Sequence, residues 1–475
     1  MLYIHVAKLI KNGNWAGVYD KGFYSLYPFT IIVFQKIFSN WETAGRMASV
    51  FFGALTVIPL FFFFRKMFDL KIVVVACIFF VLSPRIGQYS SDVLREPLFW
   101  LLSMTALWMG WKGISDKSWI FIALSSLFTG LACFTRMEGV GVIMILCLWS
   151  GWLLLYRERN IKHFFIFVIV FFISFPLIFA APLYYVKSKT GKWEMGHVLS
   201  KIPAMISKDS KAIDSGNERS PARFGTTGAE DIIKNKYTFF VWEVFYKFFR
   251  SFHVVLIPLL LFGIFRRRTI PYSKDEIPVL IWCSVFFVVA LLYAFKESYV
   301  STRHGLLMGI PSLLWVSIGF FELNAWLETF LKNRKWPAKH SRHIMVYVLA
   351  VICLVMLVKT LSPSNQDKLE MKQAGIYLKS MGYSNQRFAV QPRISRLVFY
   401  MDSEYVDIPI PTDHVALGEF LRNQNVTYFI VDEKTIDKSV KGFGEYSGSL
   451  NLEKIRIPEF EKYKEYSFVL YRIRK

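Results

Sequence analysis

The chain is 475 residues long, 54% hydrophobic, and carries a formal net charge of +22; its mean hydropathy is +0.36. Its apolar residues come in long runs and not in stripes at helical spacing, and runs of about 18 or more residues with almost no charge read as membrane-spanning helices, which excludes an ordinary soluble protein. In a soluble chain such a basic excess would point to nucleic acid; here much of it sits in short loops between apolar runs, as orientation signals and lipid-headgroup contacts, so membrane lipids are expected as partners and nucleic acid is not.

In chain order, residues 1–20 read as an amphipathic interfacial helix closed by a Gly/Asn/Trp turn. Tyr24–Phe38 is apolar but interrupted by Pro28 and too short to span, so a surface-lying or re-entrant helix is expected. Together they make a first outer segment, 1–43. Spans are then expected at about 44–64, 72–88, 97–111, 119–134, 139–155, 164–186, 253–265, 277–295, 305–322 and 344–361. The seventh is short, and the amphipathic run 237–252 lengthens it or lies beside it at the interface. The resulting fold class is a polytopic α-helical membrane protein, with its membrane domain over 44–362.

Within it, Arg85–Leu98 reads as a short polar loop between the apolar runs Ile72–Leu82 and Phe99–Met109. Charged groups at a bilayer rim are costly unless paired or bound to something. Pro97 suits the first turn of the next helix, where its missing N–H costs nothing. Glu96 beside it meets the favourable end of the helix dipole.

Alternate loops differ in charge. Arg65, Lys66 and Lys71; Lys112 and Lys117; Arg157, Arg159 and Lys162; Arg266, Arg267, Arg268 and Lys274; and Lys332 to Arg342 mark one set as cytoplasmic. The other set then faces outward: 1–43, Arg85–Glu96, Thr135–Gly139, the long loop 187–236, Lys296–His304, and everything after about 362. From 363 to 475 short helical and strand patterns alternate: helices at Lys368–Met381, Ile394–Met401 and His414–Asn423, and strands at Phe388–Gln391, Tyr428–Asp432 and Phe468–Ile473. That alternation predicts a small extracytoplasmic α/β domain. The five cysteines all lie in apolar runs and read as packing residues.

The polar groups of interest collect on the outward face. They are Tyr3, His5, Asp20, Tyr24 and Tyr27 in the first segment; Asp92, Arg95 and Glu96; Arg136 and Glu138; and Glu297, Arg303 and His304. Arginines at a membrane surface suit a phosphate or diphosphate headgroup through bidentate hydrogen bonds. Carboxylates beside them can serve as a general base for a hydroxyl or bind a sugar. Glu96 and Asp92 are the catalytic candidates; Tyr27, Arg95, Arg136, Glu138, Arg303 and His304 are the binding candidates. Each alone also has a plain structural reading: Arg136 and Arg303 as headgroup-seeking arginines, Glu138 as a partner of Arg136 and Arg95. No metal-ligand spacing stands out, and the need for a divalent cation stays open.

The order of Tyr-Pro-Phe (27–29), Ala-Gly-Arg-Met-Ala-Ser-Val-Phe-Phe-Gly-Ala-Leu-Thr-Val (44–57), Phe-Phe-Arg-Lys-Met-Phe (63–68), Leu-Ser-Pro (82–84), Tyr-Ser-Ser-Asp-Val-Leu-Arg-Glu-Pro-Leu (89–98) and Gly-Leu-Ala-Cys-Phe-Thr-Arg-Met-Glu-Gly (130–139) resembles the GT-C-type membrane glycosyltransferases. Among these it is similar to the protein O-mannosyltransferases and to the bacterial aminoarabinose transferase that modifies lipid A. Arg303-His304 before the span containing Pro311 resembles the family's late Arg-Tyr motif. The likeness covers about residues 1–330; the C-terminal part resembles the extracytoplasmic domains of such proteins more loosely.

The resemblance implies transfer of a sugar from a polyprenyl-phosphate carrier to a lipid, glycan or protein acceptor on the non-cytoplasmic side of the plasma membrane. It matches Glu96 to the acidic residue ending the second outer loop, Tyr27-Pro28 to the Pro-containing first-loop motif, and Arg303 to the basic residue that meets the carrier phosphate. It also puts the family's principal catalytic Asp ahead of Met1, which implies a first helix upstream of this chain. A transporter of lipid-linked sugars is the competing class. Against it stand the near absence of ionisable residues in mid-span and the lack of two mirrored halves. A catalytically inactive scaffold is the third reading.

Overall fold

The structure is a computed structural model and describes residues 2–20, 25–156, 161–191, 236–297, 300–333, 343–362, 366–409, 413–436, 440, 443, 448 and 450–474. Its contacts divide it into two units, Leu2–Leu361 and Ser362–Lys475.

The helical unit opens with α1 (Leu2–Lys11), α2 (Trp15–Asp20) and α3 (Tyr27–Gln35). The single amphipathic helix expected over 1–20 is two helices, because Gly13 turns the chain at φ +72°. Pro28 does not interrupt a helix: it lies in the first turn of α3, where its fixed φ is already helical. Next come α4 (Trp41–Leu55), α5 (Val57–Arg65), α6 (Leu70–Leu82), α7 (Pro84–Ser91), α8 (Glu96–Ser115), α9 (Trp119–Thr135), α10 (Val140–Leu155) and α11 (Ile161–Thr190). The span expected at 72–88 is broken. Ser83 is extended and Pro84 begins α7, which bends 52° from α6. Most of the polar stretch read as a loop is therefore helix. The long loop expected at 187–236 lies, over 192–235, outside the described residues.

The unit closes with α12 (Lys236–Ser251), α13 (Leu256–Phe265), α14 (Ile277–Glu297), α15 (Thr302–Asn333) and α16 (Ile344–Leu361). The amphipathic run before the short seventh span is α12, and it meets α13 at 113°. Five described stretches are helices long and apolar enough to cross a membrane, and seven if each bent pair counts as one.

Helix α15 is the axis of the unit. Residues 305–321 carry no charged side chain, and seventeen residues at 1.5 Å each give about 26 Å, close to a hydrocarbon core. Nearly every residue from His304 to Phe320 is buried. Pro311 frees the carbonyl of Leu307 from its helical partner; the indole N–H of Trp282 on α14 donates to that oxygen at 2.6 Å. Against α13 the backbones touch. A Cβ on Gly319 would meet the Leu259 carbonyl oxygen at 1.8 Å, and one on Gly263 would meet that of Trp315 at 1.8 Å. Only glycine permits that approach, which is how helices pack closely where lipid gives no hydrophobic drive.

The second unit is an α/β domain. Helices α17 (Gln366–Ser380), α18 (Ser395–Tyr400) and α19 (His414–Asn423) accompany five strands: β1 (Arg387–Val390), β2 (Glu404–Asp407), β3 (Tyr428–Asp432), β4 (Leu452–Ile455) and β5 (Phe468–Ile473). Sheet order is β2-β1-β3-β5-β4. β1 pairs in parallel with β2 and β3, while β5 is antiparallel to β3 and β4. Alternation along each strand builds two cores. Phe388, Val390, Ile430 and Leu470 face one with Leu378 of α17. Ala389, Phe429, Val431 and Val469 face the other with Leu417 of α19. Strands β2 and β4 carry no buried residue, so their sequences lack the apolar run that reveals β3.

Candidate functional site

Three segments far apart in sequence meet at one end of the helical unit. The first is the start of α8. Its approach is pinned by Ser49 of α4, whose hydroxyl lies 3.0 Å from the Leu94 carbonyl oxygen and accepts from the Leu94 N–H at 3.3 Å. The Tyr27 hydroxyl of α3 donates to the Gly45 carbonyl at 2.8 Å and shares a 2.6 Å hydrogen bond with Ser49. The second segment is the break between α9 and α10. Arg136 leaves the helix with extended backbone (φ −149°, ψ 139°) and Met137–Gly139 form one 3-10 turn. Gly139 is required there, since a Cβ would meet the backbone nitrogen of Cys133 at 2.5 Å. The Thr135 carbonyl just before the break accepts from the Ser25 hydroxyl at 3.1 Å and from Arg95 Nη1 at 3.2 Å. The third segment is the N-terminus of α15, with Arg303 and His304 in its first turn.

These segments bring five ionisable side chains into one chain of bonds. Glu96 Oε1 accepts from Arg136 Nη1 at 2.6 Å and from Arg303 Nη1 at 3.1 Å. Arg136 also donates through Nε and Nη2 to both oxygens of Glu138, and its guanidinium lies 5.8 Å from the centre of the Phe99 ring. His304 Nε2 is 3.5 Å from Glu138 Oε1. Its Nδ1 accepts from the Ser301 N–H at 3.3 Å, which puts the imidazole proton on Nε2, facing Glu138. The His304 ring packs 4.7 Å from that of Tyr293.

Exposure separates the members. The Glu96 side chain is 1% exposed and that of Arg136 4%, whereas Arg303 is 39% exposed. Arg136 is thus an internal tie between two carboxylates, and Arg303 is the guanidinium with a free side. Tyr3 adds a hydroxyl near the same charges. Its ring meets Tyr27 edge-on at 5.3 Å. Burial pushes its phenol above the ordinary value while Arg95, Arg136 and Arg303 pull the other way. Glu96 Oε2 is buried and accepts no hydrogen bond among the described residues.

Of the residues singled out in the sequence, the structure therefore joins Glu96, Arg136, Glu138, Arg303 and His304. It ties Tyr27 and Arg95 to their frame through backbone carbonyls. Asp92 is half-buried in the extended link between α7 and α8 and bonds to none of the five. His5 is an exposed residue of α1; Tyr24 and the side chains of Asp20 and Glu297 lie outside the described residues. Ser25, Ser49, Thr135 and Ser301 were not foreseen. Ser25, Ser49 and Thr135 link segments distant in sequence through backbone groups, whereas Ser301 bonds to the neighbouring Arg303 and His304, and no sequence period marks such contacts. Among the described residues, no cluster of three or more His, Cys, Asp or Glu side chains could hold a metal ion.

The fold is similar to that of GT-C-type polytopic membrane proteins, in line with the resemblance read from the motifs. Residues 25–185 match the family described as dolichyl-phosphate-mannose-protein mannosyltransferase. Among solved structures, the chain is similar to ArnT from Cupriavidus metallidurans bound to undecaprenyl phosphate, at 11% identity and TM-score 0.56, over 94% of this chain and 87% of that one. It is also similar to the Archaeoglobus fulgidus oligosaccharyltransferase tethered with an acceptor peptide, at 13% identity and TM-score 0.52, over 87% of this chain. The chain spans 61% of the length of that oligosaccharyltransferase. No curated protein matches by sequence.

Proposed function

We propose that this chain is a membrane glycosyltransferase that takes a sugar from a polyprenyl-phosphate carrier and passes it to a lipid, glycan or protein acceptor on the non-cytoplasmic face. The observation that carries the reading is Arg303. It is a part-exposed guanidinium held by a fully buried carboxylate that a second, buried arginine also grips. An arginine fixed in that way has donors left for phosphate oxygens and loses little side-chain freedom on binding them. The match to a mannosyltransferase family that uses a dolichyl-phosphate sugar, and the likeness to ArnT bound to undecaprenyl phosphate, support a lipid phosphate as the anion.

In this reading Arg303 meets the carrier phosphate and stabilises it as the leaving group, with Arg95 and Arg136 supplying further positive potential. Glu96, committed to two guanidiniums, is a poor proton acceptor and acts by positioning them. Glu138 and His304 hold Arg136 and the start of α15. Asp92 is the carboxylate we assign to the acceptor hydroxyl, and Tyr27 fixes the frame under α8. A single displacement of this kind inverts the anomeric centre. The basic loops support a cytoplasmic position for the opposite face of the protein.

The test is transfer from a labelled polyprenyl-phosphate sugar pool in membranes holding this chain. Transfer that is lost in Arg303→Ala, with the protein still folded and inserted, is the expected result. Movement of the labelled carrier across the bilayer without cleavage would replace the reading with a transporter. No consumption of any carrier-linked sugar would leave an inactive scaffold.

A further inference from the structure

Among the described residues, three buried polar atoms on α8 have no hydrogen-bonding partner: Glu96 Oε2, Trp100 Nε1 and Ser103 Oγ. They are not scattered. They stand at i, i+4 and i+7, so they share one face of the helix. Their side chains are 1%, 2% and 1% exposed. Buried polar groups in native proteins almost always have a partner, and an orphan destabilises the fold. Three on one stripe, directly below a network of buried charges, mark a place built for something small and polar.

The chemistry of the three narrows what it is. A carboxylate oxygen needs a donor. An indole N–H needs an acceptor. A hydroxyl serves as either. A cation is repelled by the indole hydrogen and an anion by the carboxylate, so the occupant must donate and accept at once. Along the axis the Cα positions of the first two residues are about 6 Å apart and those of the next two about 4.5 Å. Two hydrogen bonds of about 2.8 Å each reach about 5.6 Å at most, so one molecule spans the shorter gap and the longer one takes two. Buried water donates and accepts at once and characteristically joins such groups.

We propose that Glu96, Trp100 and Ser103 hold a file of internal water that continues the site about two helical turns below the charged network. The water gives the free oxygen of Glu96 its donor, so that the other oxygen stays turned to both guanidiniums. This reading goes beyond the proposed transfer and stands or falls separately from it, because its tests need no substrate.

The direct test is a crystal structure of the full chain in lipid at a resolution that shows ordered water. Solvent peaks within hydrogen-bonding distance of Glu96 Oε2, Trp100 Nε1 and Ser103 Oγ are expected, with the lowest peak lost in Ser103→Ala. Close-packed side chains around the three atoms, or protein groups bonded to them, would overturn the proposal. Thermal unfolding gives a second, independent reading that does not depend on crystals. Removing a truly orphaned hydroxyl stabilises a protein, whereas removing one that anchors water does not. Ser103→Ala is therefore expected to leave the unfolding midpoint unchanged or lower it by about 1–3 °C, and a midpoint raised by that much would contradict the file.

Discussion

Two buried ion clusters of the helical unit are built to opposite plans. In one, Arg267 grips Glu276 through Nη1 and Nη2 at 2.5 and 2.6 Å. Trp315 Nε1 and the Ser273 N–H complete the two carboxylate oxygens at 2.8 and 3.0 Å. Nearby, Glu322 of α15 accepts from the N–H groups of Arg268, Thr269 and Ile270 and from the Thr269 hydroxyl, all within 2.9 Å. Every carboxylate oxygen there has a protein partner. In the other cluster Arg303 is part-exposed and one oxygen of Glu96 has no protein partner. Arg303 and Glu322 stand nineteen residues apart on one helix, about 28 Å, so they lie towards opposite ends of a membrane-length element. A closed cluster fixes a loop. An open one can bind. The difference is legible only in the count of partners per atom, since both clusters have the same residue types.

The largest expected effect comes from Arg136. Replacing it with Ala takes one of two guanidinium partners from buried Glu96 and the arginine hydrogen bonds from part-buried Glu138, and breaking such a network typically costs about 3–5 kcal/mol; loss of folded protein on size exclusion in detergent is the expected outcome. Arg267→Ala should be comparably damaging. The clusters part in the next experiment. The closed ion pair replaced as a unit, Arg267→Met with Glu276→Leu, should regain most of the stability, because buried ion pairs can be exchanged for apolar pairs at little cost. Lipid-phosphate binding should survive that exchange. The open cluster allows no such exchange, since its charge is what binds. A third, smaller effect is expected from Glu322→Gln, which weakens four hydrogen bonds to one carboxylate by about 1–2 kcal/mol in total, read as a lower thermal midpoint with unchanged ligand affinity. The smallest is Tyr27→Phe, which removes the hydroxyl bonded to Gly45 and Ser49 and should cost about 1 kcal/mol.

The sequence carried the membrane domain well, because long apolar runs between basic loops are a strong signal. It carried the start of α8 at Glu96-Pro97, where proline and the helix dipole agree. It did not carry the bend at Ser83, since the expected span at 72–88 ran through Ser83-Pro84 and only that pair marks the change of direction. It missed β2 and β4, whose residues are all part-exposed or exposed, while buried β3 was read to the residue. The site was half legible. Arginines and carboxylates in outward loops pointed to Glu96, Arg136, Glu138, Arg303 and His304, which do converge. The grading among them was not legible. Arg136 and Arg303 look alike in sequence, yet one is an internal tie and the other faces out, because only tertiary packing decides which guanidinium keeps a free side. Trp100 and Ser103 read as ordinary members of an apolar run, since an unpaired indole or hydroxyl has no sequence signature.

The most direct test of the central claim is the affinity of the purified chain in lipid nanodiscs for undecaprenyl phosphate. Wild type, Arg303→Ala and the double replacement Arg267→Met/Glu276→Leu should be compared at fixed ionic strength. A charged hydrogen bond of about 1.5–3 kcal/mol corresponds to a loss of about tenfold or more for Arg303→Ala. The double replacement should stay within about twofold of wild type, as its cluster has no free donor to offer. Equal affinities for wild type and Arg303→Ala, or a loss confined to the double replacement, would contradict the assignment of the open cluster as the phosphate site.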